Sequence, residues 1–325
     1  MDTDVRGLPH DDHGLIRREA ALAAGFTDNR ICRLVEKKSL ARLARGVYMI
    51  PEASDEADAT RRAEIRAREF RLRSIAVVTT EHSRGATVLS HQSAAVVHGL
   101  PMLKAPMGVV HLVNGEIGGG SVRRSTHVHA GELRDGDLVE VDGIAVTGLE
   151  RTAADVAQAV VPEHPLAFAQ ALVVLDGALH LDASREALAL QLAGRRRRGT
   201  RIARAALAYA DGLAESVGES WGRAQMIGAG LPLPTLQVEH VVNGTTYRVD
   251  GDWRSRLVWE FDGMSKYGRY RRPGESVADA VVREKHREDE LRAAGIMVVR
   301  SRWAMLEAGT MVPKLEYWLD RLSLR

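Results

Sequence analysis

The chain has 325 residues, 45% apolar and 27% charged, with a formal net charge of +2; this is long for one core and suits a soluble protein of two or three domains. So small a net charge gives little argument for a nucleic-acid partner, and the distribution of charge must carry it. The single cysteine, Cys32, excludes an internal disulfide framework and a cysteine zinc site, no apolar run is long enough to span a bilayer, and 5% aromatic residues leave few stacking platforms for a single-strand binder.

Residues 1–14 are polar and lack the apolar centre of a signal peptide, so the protein is expected in the cytoplasm with no membrane partner. Residues 14–50 read as two short helices and a β-hairpin. Leu15, Ile16, Ala20, Ala21 and Ala24 mark one face of the first helix, and Gly25 takes its left-handed cap. Thr27 or Asp28 caps the second, whose Ile31, Leu34 and Val35 have helical spacing, with Cys32 expected to pack among them. The hairpin turns at Ala44-Arg45-Gly46 into Val47–Ile50. Helix, turn, helix and hairpin is the order of a winged helix-turn-helix. In that fold the second helix enters the major groove and the wing touches phosphate. Asn29, Arg30, Arg33 and Lys37, with Arg42 and Arg45 of the hairpin, are therefore the candidate DNA-binding residues, and double-stranded DNA is the partner. The bland alternative is a small helical unit with a solvated basic face, or a protein-interaction module.

Residues 55–73 read as one amphipathic helix with few bulky apolar residues, suited to connecting domains, and a mixed region starts at Ile75. A helix capped by Ser90 runs to Gly99-Leu100-Pro101. Strand-like runs follow at 109–113, 126–129 and 139–146, the last folded at Asp142-Gly143. His91 and His98 share a helical face, and His127 and His129 alternate on a strand. A metal pair asks for closer spacing and a carboxylate, so these four read as hydrogen-bonded structural histidines. Another helix begins at Arg151-Thr152-Ala153-Ala154-Asp155, and 166–193 is helical. Arg195 to Arg198, with Arg201 and Arg204, is the densest positive run; it suits either a grip on phosphate or a solvated linker.

The C-terminal stretch reads as two helices, three strands joined by an Asn243-Gly244 turn, a helix and a last buried strand, which makes a mixed α/β sheet. Asp250 closes one strand. Glu260 and Asp262 lie two apart on the next, so their side chains leave one face. Brought together, these acids form a hard-oxygen site for Mg²⁺ or Mn²⁺, able to activate water at a phosphodiester. Asp250-Gly251 and Asp262-Gly263 also suit plain turns. Glu260 is harder to dismiss, because it interrupts the buried pattern Leu-Val-Trp-Glu-Phe.

This order, with Asp250, Glu260-Phe261-Asp262-Gly263 and Arg287-Glu288-Asp289-Glu290-Leu291, resembles the PD-(D/E)XK nuclease superfamily, in particular its very-short-patch-repair-like and DUF559 branches. The resemblance implies that Asp250 and Glu260 hold the metal, that Glu219 on the preceding helix completes the site, that Asp262 supports it, and that Arg287 packs the closing helix or contacts phosphate. The usual lysine is Asp262 here, and Lys266 stands where the DUF559 branch often has histidine; Lys266 would stabilise developing charge. Residues 14–51, the Ser90–Pro101 stretch and Val146 to Asp155 resemble AbiEi-type antitoxins of type IV toxin–antitoxin systems. That resemblance implies a DNA-binding winged helix, often repressing its own promoter, a regulatory middle domain and a cognate toxin. The sequence therefore points to an α+β multidomain protein: a winged helix-turn-helix over 1–52, a mixed α/β antitoxin-like domain over 53–194, and an α/β restriction-endonuclease-like domain over 195–325. Its function is read as a DNA-binding protein of toxin–antitoxin or defence type with a metal-dependent nuclease-like domain, or as a repressor in which that domain is degenerate.

Overall fold

Short amphipathic helices alternate unevenly with β-branched runs, and the fold is α+β. The computed structural model describes residues 5–52, 59–81, 87–116, 118–134, 136–194, 197–263 and 276–325, with twelve helices and three sheets among them. The chain divides into two compact units, 1–100 with 105–155 and 101–104 with 156–325. These are coarser than, and bounded differently from, the three segments read from the sequence.

The first unit opens with β1 (Ile16–Arg17), α1 (Arg18–Ala23), α2 (Asp28–Glu36), β2 (Ala41–Ala44) and β3 (Val47–Met49), in a sheet of order β1-β3-β2. Ile16 is extended and pairs with Tyr48, not helical as expected. The Asp11 carboxylate accepts the N–H groups of His13 and Leu15 and pairs with Arg17, which holds this stretch open until Arg18. Leu8, Ile16, Phe26, Ile31, Leu34 and Leu40 form one core. Cys32, expected to pack there, is exposed; it lies one residue past Ile31, about 100° round the helix.

Leu15, Val47 and Met49 face a second core, built on α3 (Ala59–Glu81). The expected connector is thus a core helix. It continues through Ile75, Ala76, Val77 and Val78, all buried, because burial overrides the strand preference of that run. Residues on both sides of position 52 thus share this core. Beyond it lie β4 (Val88–Leu89), α4 (His91–His98), β5 (Val110–Gly115), β6 (Ser121–Val122), β7 (Thr126–Glu132), β8 (Leu138–Val141), β9 (Ile144–Thr147) and α5 (Leu149–Gln158). The sheet order is β6-β7-β5-β4-β9-β8, with β5 parallel to β7 and β4 parallel to β9. Gly99 ends α4 in the left-handed region at φ 77°.

In the second unit, α6 (Ala167–His180) and α7 (Arg185–Ala193) replace the single helical run expected over 166–193. Asp182 turns the chain at φ 64°, and the Ser184 hydroxyl accepts the Ala187 N–H to restart it. Then come α8 (Thr200–Tyr209), α9 (Val217–Gly228), β10 (Thr235–Val242), β11 (Thr245–Trp253), β12 (Leu257–Phe261), α10 (Val277–Ala293), β13 (Met297–Ser301), α11 (Trp303–Ala308) and α12 (Met311–Arg321). The strands lie in the order β10-β11-β12-β13; the first three are antiparallel and β13 runs parallel to β12. A buried ion pair of 2.6 Å between Asp176 and Arg223 ties α6 to α9. Helix α9 can approach β12 closely because Gly222 has no side chain: a Cβ there would stand 2.5 Å from Trp259. Two helices follow the strand read as the last. The signal for the second was present in Met311, Leu315 and Leu319, buried at a spacing of four. No helix among the described residues is long and apolar enough to cross a membrane.

Candidate functional site

The basic face of the N-terminal segment follows from how α2 is fixed. Thr27 is its N-cap, with Oγ accepting the Arg30 N–H at 3.2 Å. Asp28, the other candidate cap, is instead held by Arg18 at 2.8 and 2.5 Å, which offsets one negative charge at the start of the helix. Ile31 and Leu34 turn inward, so Asn29, Arg33 and Lys37 are left exposed. Arg30 is half-buried, with its guanidinium over the Phe26 ring at 4.1 Å. Arg42 on β2 and Arg45 at the hairpin turn are exposed, and the Arg42 Nε donates to the Ala44 carbonyl at 3.3 Å. Five exposed cationic or amide side chains thus stand on α2, its C-cap and the hairpin that follows.

The C-terminal acids are arranged differently. Gly251 pairs with Trp259, so Asp250 and Glu260 lie on neighbouring strands. Asp250 Oδ2 accepts the Phe261 N–H at 2.7 Å, serving the main chain where the β11–β12 ladder ends. Glu260 is buried, and its Oε1 lies 2.5 Å from Arg287 Nη2, which also donates to the Arg248 carbonyl. Glu219 is buried at the start of α9. Its carboxylate accepts the Ser216 hydroxyl at 2.7 Å and the Glu215 N–H at 3.0 Å, a capping arrangement. Asp262 is buried with Arg302 Nε at 3.5 Å. Lys266 lies outside the described residues. Three carboxylates from this set do not converge within 4.8 Å; among the described residues only a histidine group does. Each of these acids instead meets an N–H, hydroxyl or guanidinium of the protein. Beside them a groove of about 620 Å³ runs between β11 and α10, with Tyr247, Arg248, Arg283, His286 and Arg287 in its wall.

The arginine run divides. Arg195 and Arg196 lie outside the described residues. Arg198 pairs with Glu163 at 2.7 Å. Arg204 donates to the carbonyls of Leu192 and Ala193 and so caps the end of α7. The Arg151–Asp155 motif is also structural. Arg151 lies buried between Asp137 at 2.9 Å and Asp155 at 2.8 Å, and Thr147 and Thr152 share a hydroxyl contact of 2.6 Å beside it.

Four of the histidines lie close together. His98 hydrogen-bonds the Thr147 carbonyl at 2.7 Å, as expected of a structural histidine. His91, His127 and His129 do not stay apart. They stack with His111, which the sequence did not single out. Centroid distances are 3.9 Å for His91–His129, 3.8 Å for His127–His129 and 5.2 Å for His111–His129. Burial, with His127 adding its charge, pushes the His111 imidazole down to about 4. The spacing of His127 and His129 showed that they share a strand face. Only the parallel β5–β7 pairing, with His111 opposite His127, brings in a residue sixteen positions away.

Residues 10–51 match the family described as "Transcriptional regulator, AbiEi antitoxin". Two relatives in Mycobacterium tuberculosis, "Uncharacterized protein MT2308" in strain CDC 1551 / Oshkosh and "Uncharacterized protein Rv2248" in strain ATCC 25618 / H37Rv, are each 36% identical over 193 residues. That match covers 58% of this chain and 66% of each relative, just under two thirds of their length. A solved structure titled "Crystal structure of RV2827C protein from Mycobacterium tuberculosis" aligns with a TM-score of 0.34 and 17% identity, over 69% of this chain and 78% of that one, a likeness too low to argue from. Residues 10–51, which hold α1, α2 and the hairpin, thus match an antitoxin family of transcriptional regulators.

Proposed function

We propose that this chain is an antitoxin-type DNA-binding regulator whose N-terminal helices and hairpin act as a winged helix. The observation that carries this reading is the match of residues 10–51 to AbiEi antitoxin regulators, coincident with the exposed basic face on α2 and the hairpin. Asn29, Arg30 and Arg33 would meet base edges and phosphates in the major groove, and Lys37, Arg42 and Arg45 would meet phosphate. A cognate toxin is the second partner. Asp250, Glu260, Asp262 and Glu219 serve the fold in this reading, through the bonds described above, and the C-terminal unit is a scaffold.

The second reading keeps the C-terminal unit as a Mg²⁺- or Mn²⁺-dependent nuclease. What favours it is the order α9, three antiparallel strands, α10 and parallel β13, with Asp250 and Glu260 on adjacent strands. Against it stands the Arg287 guanidinium on Glu260. One experiment separates the two: full-length protein is incubated with its own upstream DNA, with and without Mg²⁺. Salt-sensitive binding with intact DNA supports the regulator. Mg²⁺-dependent cleavage that is lost in Asp250→Asn and Glu260→Gln supports the nuclease and removes the scaffold reading. Failure to prefer duplex DNA over a protein control removes the regulator.

A further inference from the structure

We propose that His91, His111 and His129 form a binding site for one divalent first-row transition-metal ion of the Zn²⁺ class. One ring nitrogen of each lies within 4.8 Å of the others. The three come from separate elements. His111 is on β5, His129 is on the adjacent parallel strand β7, and His91 opens α4.

The scaffold around them is fixed. The His111 N–H donates to the Ser93 hydroxyl at 2.9 Å, and the Ser90 N–H donates to the His111 carbonyl at 3.0 Å, so the start of α4 is pinned to β5. The Ser90 hydroxyl lies 3.0 Å from His91 Nδ1; a hydroxyl on one ring nitrogen is a common outer support for a metal-bound imidazole. His91 itself sits in the left-handed region at φ 49°, a conformation that costs energy for a side-chain-bearing residue and concentrates at functional positions.

His111 Nδ1 and His129 Nε2 are 2.9 Å apart. Two imidazole nitrogens sharing a tetrahedral Zn²⁺ lie about 3.4 Å apart, given Zn–N bonds of roughly 2.0–2.1 Å. That difference of about half an ångström is within the reach of side-chain torsions. The donor set selects the ion. Three imidazoles with no carboxylate suit Zn²⁺, Co²⁺, Ni²⁺ or Cu²⁺ and disfavour Mg²⁺ and Ca²⁺, which ask for oxygen. Three histidines leave a fourth position for water. His127 stacks on His129 outside the trio and would hold that ring in place.

The test uses full-length protein without an affinity tag, stripped with a chelator, and titrated with Zn²⁺ in a calorimeter and with Co²⁺ in the visible region. The expected result is one ion per chain at micromolar or tighter affinity, a tetrahedral Co²⁺ spectrum, and a raised melting temperature. His111→Ala and His129→Gln should each weaken binding at least ~100-fold, the upper end of what loss of a mere supporting group does. A variant carrying His10→Ala and His13→Ala should bind like the parent. The metal-free variants are checked for folding by their melting transitions, and His129→Gln, on a half-buried strand position, keeps the test valid if His111→Ala does not fold. No saturable binding at micromolar ion overturns the proposal. So does binding that survives in His129→Gln, or that is lost with His10 and His13.

Discussion

Two groups of ligand-type side chains stand out, the acids of the C-terminal unit and the imidazoles of the N-terminal one, and they are built on opposite plans. Each acid meets a protein donor: Asp250 an amide, Glu260 a guanidinium, Glu219 a hydroxyl and an amide. The imidazoles stack on one another, with the Ser90 hydroxyl beside His91. Acids brought near by a sheet need not form an ion site when cations and amides are interleaved with them. Rings that are distant in sequence can form one when parallel strands align them.

Predictions that strain this comparison begin with the buried polar groups. Arg151→Met leaves Asp137 and Asp155 buried without their cation and should cost about 3–5 kcal/mol of stability, read by denaturant unfolding; a loss below ~1 kcal/mol would mean that the motif is not structural. Next in size, Gly222→Ala forces a methyl group against Trp259 and should cost about 1–3 kcal/mol. Unchanged unfolding would show that α9 does not lie so close on β12. The two clusters are then set side by side by thermal melts in each ion: Zn²⁺ should raise the melting temperature of the parent, and Mg²⁺ should leave it unchanged. A Mg²⁺ shift that disappears in Glu260→Gln would reverse the assignment.

The smallest effect concerns Asp11. Burial acts to raise its carboxyl, but the N–H of Leu15, the Arg17 guanidinium and the N–H of His13 prevail and hold it below its ordinary value of 3.8. A carboxyl depressed in the folded state contributes stability above its unfolded value, and loses it as pH falls through the folded one. Asp11→Asn should therefore lower stability slightly at neutral pH, by about 1 kcal/mol or less for a partly exposed pair, read as a small drop in melting temperature. The difference should close below the ordinary carboxyl value. A difference that widens in acid would contradict the assignment.

Much of the fold was legible in the sequence. Gly99, Asp142-Gly143 and Asn243-Gly244 marked turns that the backbone takes, and the three antiparallel strands before a crossover helix were read in order. What failed was tertiary in origin. Ile75 to Val78 looked like the start of a new region, because local pattern cannot say that a helix will be buried on that side. Leu15 and Ile16 had helical spacing but are held extended by Asp11. The exposed basic face was legible because exposure on α2 follows from its apolar side, Ile31 and Leu34. The histidine site was not, since nothing in the spacing of His91, His111 and His129 announces that β5 and β7 lie side by side.

The central claim, that α2 and the hairpin grip duplex DNA, is tested most directly by the salt dependence of binding. The full-length chain and its Arg33→Ala, Lys37→Ala and Arg45→Ala variants are titrated onto the upstream duplex over a range of salt. Lys37→Ala and Arg45→Ala should weaken binding across all sequences and each lower the salt slope by about 1, while Arg33→Ala should also narrow the preference for the upstream duplex. Parent and variants with the same affinity and the same slope would contradict the account.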